Sequence, residues 1–316
     1  MIQSDKKIVL FRRDFQRFTG GHLKVWHYFN HVLASERYAP RIAFTPDSKW
    51  DTANPWTGAN QYISEWNPTA ADVLFLAGKD WEAVSNPNTR QPVVNLIQHP
   101  RHANREDKLS GFLRNRAIRI CVSQEVADAI NATGKVNGPV FVIPNALETS
   151  GFPIIPDRTE RPIQVLLCGF KAPDLAREID RRLQADENVA VTPLLDWVPR
   201  ADLLKRASEA RIVVTLPRPV EGFYLPALEA MASGAIVICP DCVGNRGFCT
   251  DAVNCFRPAY QADAIVASIY QALALSSPDA EKMRDNARST VAEHSLERER
   301  SSFLNILNRI EDIWRS

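Results

Sequence analysis

The chain has 316 residues, 45% of them hydrophobic and 24% charged, with a formal net charge of +1 at pH 7. That composition excludes the disordered and fibrous classes, and the near-neutral balance excludes a nucleic-acid binder held by bulk charge. The length exceeds what one core usually organises and predicts about two domains. The N-terminal stretch MIQSDKKIVLFRR is broken by Arg12 and Arg13 too early to form a signal-peptide core. No apolar run approaches the roughly 18 to 20 residues of a membrane helix. The expected location is therefore the cytoplasm, with peripheral contact at the inner membrane face left open.

Short apolar, β-branched runs alternate with segments of helical period along the chain, which predicts a βαβ protein with mainly parallel sheets. The first half offers KIVLF (7–11), RIAFT (41–45), DVLFLAG (72–78), VVNLIQ (93–98), IRICVS (118–123) and VFVI (140–143) as strands. The helical segment 19–33 has Val25, Trp26, Phe29, Val32 and Leu33 on one face. Lys24, His27, Asn30 and His31 share the other, which is expected to be solvated. Pro, Gly and charge are concentrated over 146–162, ALETSGFPIIPDRTERP, as in an interdomain linker. The second half adds IQVLLCG (163–169), VAVTP (189–193), RIVVTL (211–216), AIVIC (235–239) and a shorter candidate, NCFRP (254–258). Beyond about residue 261 the pattern is helical. The expected domains are 1–150 and 151–294. A final helix, 295–316, is expected to pack back toward the first.

Four of the six cysteines, Cys239, Cys242, Cys249 and Cys255, fall close together and begin with C-x-x-C. Zinc needs two short-spaced pairs on turns. Cys239 instead ends an apolar run, and Cys249 and Cys255 lack metal-like spacing, so no metal is expected. Cys121 and Cys168 sit in apolar runs, where a reduced cysteine is a small hydrophobe.

The stretch EGFYLPALEAMASGAIVIC (221–239) carries the most chemistry. RIVVTL reads as a buried strand, PRPVEGFY as the following turn, and LPALEAMASG as a helix with Pro226 in its first turn, ending at Gly234. Free N–H groups near Tyr224, Leu225 and Ala227 would face an anion such as a diphosphate. Glu221 in the turn would reach a hydroxyl-rich group beside it, and Glu229, one turn into the helix, would accept from a ribose diol. The plain alternative is a helix whose glutamates face solvent. A glycosidase is disfavoured, because its two acids must flank one bond across a gap.

This stretch resembles the Glu-x7-Glu signature, E-G-F-G-L-P-x-L-E-A-M-A-x-G-x-P-V-I, of retaining GT-B glycosyltransferases of family 4. The resemblance implies two Rossmann-like, doubly wound parallel-sheet domains with a cleft between them, 1–150 on the acceptor side and 151–294 on the nucleotide-sugar side. It implies that Glu221 contacts the donor sugar and Glu229 the nucleotide ribose, with Gly222, Phe223, Tyr224 and Leu225 near the diphosphate and sugar. Tyr224 stands where the family usually has glycine. Gly20 and Gly21 resemble the N-terminal glycine loop that touches the donor, and His99 in NLIQHPRHANRED matches a histidine close to the donor sugar. IRICVSQEVADAI and VFVIPNALE resemble two further landmarks, with Ala146 in place of glycine. LLDWVPRADLL resembles the segment beside the base, so Trp197 and Val198 are expected to wall the base pocket. His22, beside the glycines, is open between substrate contact and helix capping.

One departure concerns charge. The family has an arginine and then a lysine after the strand that QVLLCGFKAPDLAREI resembles, and together they stabilise the departing diphosphate. Phe170 holds the arginine position. Lys171 and Arg177 are the expected substitutes, with Arg218 a further candidate; the plain alternative is surface charge near a turn. No Asp-x-Asp occurs in the sequence, in keeping with a metal-independent donor site without cofactor. Trp50, Trp56 and Trp66 lie in the least recognisable segment, where they would either bind the acceptor by stacking or pack the loop onto its domain.

The resemblance thus implies transfer of a sugar, with retained configuration, from a nucleotide-diphosphate sugar to a hydroxyl of a saccharide or lipid-linked saccharide. His99, Lys171 and Glu221 would serve the reaction, with no nucleic acid involved. Phe170 keeps open a catalytically silent GT-B subunit that binds nucleotide sugar or a partner transferase.

Overall fold

A computed structural model describes residues 6–86, 90–154, 156 and 160–315. The predicted linker, 146–162, lies partly outside the described residues. The chain divides into two compact units, Met1–Asn145 with Leu296–Ser316, and Ala146–Ser295.

Unit 1 holds strands β1 (Lys7–Arg13), β2 (Tyr38–Phe44), β3 (Val73–Ala77), β4 (Val93–Ile97), β5 (Ile118–Cys121) and β6 (Val140–Val142). They form one sheet in the order β2-β1-β3-β4-β5-β6. Every pairing is parallel, with Val9 opposite Val73 and Leu74 opposite Val93. Two helices occupy connections, α1 (Gly20–Leu33) and α2 (Gln124–Asn131). At the start of each a side-chain oxygen accepts a first-turn backbone N–H: Thr19 Oγ1 from His22 and Ser123 Oγ from Val126.

Unit 2 contains β7 (Ile163–Cys168), α3 (Pro173–Leu183), β8 (Val191–Leu194), α4 (Arg200–Ser208), β9 (Ala210–Thr215), α5 (Leu225–Ala232), β10 (Ile236–Ile238), α6 (Ala262–Leu273) and α7 (Ser277–Glu293). Its parallel sheet runs β10-β9-β7-β8. Alternate strand residues point to opposite faces. Leu166, Cys168, Val213 and Val237 pack with α5 residues Leu228 and Met231, whereas Val165, Leu167, Ile212 and Val214 pack with Ile179 of α3 and Ile265 of α6. Helices therefore cover both faces, and the continuous apolar runs of the strands follow from that. Pro193, which brings no N–H, is tolerated because β8 lies at the sheet edge. NCFRP contributes isolated bridges, Phe256 beside Ile238 and Cys255 beside Asp251, rather than a strand. Gly234 closes α5 at φ 72°, a backbone conformation glycine adopts without cost.

The chain ends with α8 (Leu296–Asn308) and α9 (Ile310–Arg315) in unit 1. They correct the expectation for α1. Lys24, His27 and His31 are buried, because α8 lies on the face predicted to be solvated. Glu299 of α8 accepts from Lys24 Nζ, and its Oε1 lies 2.8 Å from His31 Nε2. Burial and then the Lys24 charge pull His31 down to about 2, so the ring is neutral. Tyr28 meets Phe303 edge-on at 4.7 Å beside them. The polar stripe of α1 is thus a buried ion-paired seam. Among the described residues, no helix is long and apolar enough to cross a membrane.

Removing one partner of a buried ion pair leaves an uncompensated charge and costs about 3–5 kcal/mol. Glu299→Ala is expected to lower the urea midpoint of unit 1 accordingly, and Lys24→Met in the same chain to recover part of the loss. An unchanged midpoint in Glu299→Ala would contradict the seam.

Candidate functional site

In an open α/β sheet, ligands bind outside the carboxyl ends of the strands, where the strand order reverses. In unit 2 that point lies between β7 and β9, since β8 is placed on one side of β7 and β9 and β10 on the other. The turn after β7 is Gly169-Phe170-Lys171-Ala172, and the turn after β9 runs from Leu216 to Tyr224. A Cβ at Gly169 would lie 2.2 Å from that of Ala176, so glycine is what lets α3 sit this close to the strand end. Phe170 packs against the unit 2 core.

The two turns meet through charge. Lys171 Nζ lies 2.8 Å from Glu221 Oε1, and the Arg218 N–H donates to the same oxygen at 3.3 Å. The ammonium also stands 4.9 Å from the centre of the Tyr224 ring, within cation–π range. Tyr224 is buried, and burial raises its hydroxyl well above the ordinary phenol range. The ring is therefore a neutral, fixed platform beneath the cation.

A third segment braces this arrangement. Gly244 O accepts from the Tyr224 N–H at 2.8 Å, and the Val243 N–H donates to Pro219 O. Asn245, fully buried, accepts from the Cys242 N–H and donates to Pro240 O at 3.0 Å, which fixes the turn. A Cβ at Gly244 would meet the Glu221 Cβ at 2.9 Å and its backbone oxygen at 3.1 Å. The same brace corrects the expectation of free N–H groups at the start of α5. Tyr224 donates to Gly244, Leu225 to Phe223 O and Ala227 to Tyr224 O. What α5 still presents there is the positive end of its dipole.

Glu229 is buried one turn into α5, and its Oε1 accepts from Arg200 Nε at 2.6 Å. The Arg200 guanidinium stands 5.6 Å from the Phe152 ring centre. Arg200 is a participant the sequence reading did not name; its position three residues after Trp197, in the base-side segment, was the available signal. Trp197 is 72% exposed and presents an open aromatic face, while Val198 packs against the core. Gly222 is buried, and Phe223 stacks on Phe248 at 4.9 Å. Arg177 does not join Lys171: it pairs with Asp174 on the exposed surface of α3. The Arg218 side chain is exposed and contributes its backbone instead.

In unit 1 the strand order reverses between β1 and β3. Arg13, at the end of β1, donates to Asp80 at 2.6 Å and to Ala77 O, tying the two strand ends together. The adjacent Gly20-Gly21 opens α1, and a Cβ at Gly21 would make only ordinary contacts at 3.6 Å, so packing leaves space there. His22 lies on Phe15 at 4.9 Å; burial, then Arg13, lowers it to about 4, leaving a neutral imidazole whose buried Nδ1 has no hydrogen-bond partner. The capping oxygen is that of Thr19, and His22 supplies only its N–H. His99 Nδ1 accepts from the Arg101 N–H and starts a 3₁₀ turn, Pro100–Ala103, while His102 is buried.

The tryptophans divide. Trp50 is 46% exposed against the edge of Phe44. Trp66 is half-buried, with Nε1 donating to Ala83 O. Trp56 is fully enclosed among Trp26, Phe29 and Phe44, which corrects its assignment to an acceptor: it packs the loop onto its own domain. All six cysteines are buried free thiols, and among the described residues no three His, Cys, Asp or Glu side chains are grouped as metal ligands.

Overpacking at a tight site typically costs about 1–3 kcal/mol. Gly244→Ala is expected to lower the melting temperature of unit 2 by that equivalent, whereas Gly21→Ala, with ordinary contacts only, should leave unit 1 near its original value. Equal effects would contradict the brace on Glu221.

The family model described as "Glycosyl transferases group 1" matches residues 150–290. No curated protein gives a significant sequence match. Among solved structures, Anabaena HepE in complex with UDP is similar over 96% of this chain and 99% of its own, at 14% identity and TM-score 0.76. A glycosyltransferase from Rickettsia africae is similar over 97% and 99%, at 13% identity and TM-score 0.72. A sucrose-phosphate synthase from Thermosynechococcus elongatus is similar over 97% and 100%, at 14% identity and TM-score 0.69. The chain therefore has the two-domain, Rossmann-like GT-B fold, and its second unit holds the segment similar to the glycosyl transferases group 1 model.

Proposed function

We propose that this protein is a retaining, metal-independent glycosyltransferase. It moves a sugar from a nucleotide-diphosphate sugar to a hydroxyl of a saccharide or lipid-linked saccharide. The observation that carries this reading is the meeting of Lys171 and Glu221 at the β7/β9 switch point, within the segment that matches the glycosyl transferases group 1 model. Similar structures hold UDP and UDP-glucose, which supports a nucleotide sugar as donor.

In this reading Glu229 accepts from the ribose diol while Arg200 fixes its orientation, and the exposed Trp197 face, with Val198, meets the base. Gly222, Phe223, Tyr224 and Leu225 line the diphosphate and sugar. Glu221 accepts from sugar hydroxyls, and His99 is assigned to the sugar. The acceptor oxygen bonds to the anomeric carbon on the face the phosphate leaves, the bond from that carbon to the phosphate oxygen breaks, and the acceptor proton passes to the leaving phosphate. Negative charge grows on that phosphate, so a cation fixed beside it lowers the barrier. Lys171 is that cation, aided by the N-terminal end of α5, and no metal is needed for the role. Gly20, Gly21 and the neutral His22 supply space and polarity on the acceptor side, with Trp50 and Trp66 as stacking candidates. The enzyme would act in the cytoplasm, at the inner membrane face when the acceptor is lipid-linked.

A silent nucleotide-sugar-binding subunit is the second reading, favoured by Phe170 packing into the core and Arg177 pairing with Asp174. A thermal-shift panel of UDP, GDP, ADP, CMP and dTDP with their sugar conjugates separates the two when followed by donor turnover. The enzyme reading expects stabilisation by one nucleotide family, its loss in Glu229→Ala, and slow sugar release that falls at least about 100-fold in Lys171→Ala. Binding without turnover would establish the silent subunit, and no stabilisation by any nucleotide would remove the donor site altogether.

A further inference from the structure

Lys171 and Glu221 have different partners in the donor: the ammonium suits the diphosphate, the carboxylate the neutral sugar hydroxyls. In this structure they hold each other at 2.8 Å. We propose that this ion pair is a built-in competitor of the diphosphate, which a nucleotide sugar replaces at both ends and a bare nucleoside diphosphate at only one. The site then favours the donor over the spent nucleotide. This inference rests on the donor-site reading above.

Three features make the exchange feasible. The pair is partly open, with Lys171 31% and Glu221 16% exposed in their side chains, so water screens it and its separation is not prohibitive. The Tyr224 ring, 4.9 Å from the ammonium and buried beneath it, still attracts Lys171 when the carboxylate is released. The cation can therefore change partner without leaving the switch point. Glu221 has no such freedom, since Gly244 packs against its Cβ and backbone and the Arg218 N–H donates to its Oε1.

The consequence follows from where the charges remain. When a bare nucleoside diphosphate takes Lys171, Glu221 is left fixed near two phosphates of its own sign, with the Arg218 N–H as its remaining named partner. When the sugar is present, its hydroxyls donate to the carboxylate and separate it from the phosphates. Once the sugar has been transferred, Glu221 loses those donors and recaptures Lys171, which weakens the hold on the product.

The test is isothermal titration of wild type, Glu221→Gln, Lys171→Met and the double variant with UDP, GDP and ADP and the glucose conjugate of each. For the nucleotide that binds, Glu221→Gln is expected to tighten the free diphosphate by roughly 3- to 10-fold and to weaken the sugar conjugate. The gain should disappear in the double variant, an outcome that a general loosening of the fold would not produce. Should Glu221→Gln fail to fold, Glu221→Asp, one methylene shorter, is expected to shift both affinities in the same directions by less. Unchanged or weaker diphosphate binding in a folded Glu221 variant would overturn the competitor while leaving the donor site standing. Absence of nucleotide binding by wild type and variants alike would instead overturn the donor site, and this inference with it.

Discussion

The reversal of strand order in unit 2 is the constraint on which the site depends. Parallel strands joined by right-handed crossovers can reverse direction across the sheet only by starting anew on the other side of the first strand. That places the turns after β7 and β9 side by side with no connection passing between them. One turn brings a cation and the other an anion, and they meet as Lys171 and Glu221. The rest of the local sequence serves to hold them. Gly169 lets α3 approach, Tyr224 supplies a buried ring, and the turn around Gly244 and Asn245 braces the loop that bears Glu221.

The fold was legible where its cause is local. Apolar, β-branched runs between helical segments have to be buried strands, and ten were read close to where they form. NCFRP was the weak case: it is short, and forms isolated bridges at Phe256 and Cys255 rather than a strand. The solvated face predicted for α1 failed for a different reason. A period of 3.6 residues identifies a polar stripe but says nothing of what packs on it, and the partner of His31 is Glu299, 268 positions away. A lysine and two histidines on one stripe look the same whether they meet water or a buried carboxylate.

The same distinction separates the parts of the site. Glu221, the helix start and Gly234 belong to one continuous stretch and could be read together. The ion pair joining Lys171 to Glu221 spans 50 positions, and Arg200 to Glu229 spans 29, so neither partner was specified by sequence alone. Free N–H groups at α5 were inferred from helix geometry, but Gly244 supplies an acceptor that the local sequence did not reveal. Trp56 carries a further lesson: an aromatic in an unrecognised loop looks available for ligand until the aromatic residues around it are known.

The most direct test of the account is a crystal structure of the protein with the nucleotide sugar that stabilises it. The account predicts the diphosphate within hydrogen-bond distance of Lys171 Nζ, sugar hydroxyls on Glu221, the ribose on Glu229, and the Lys171–Glu221 pair opened. A nucleotide sugar seated away from the β7/β9 turns, with Lys171 still bound to Glu221, would contradict it.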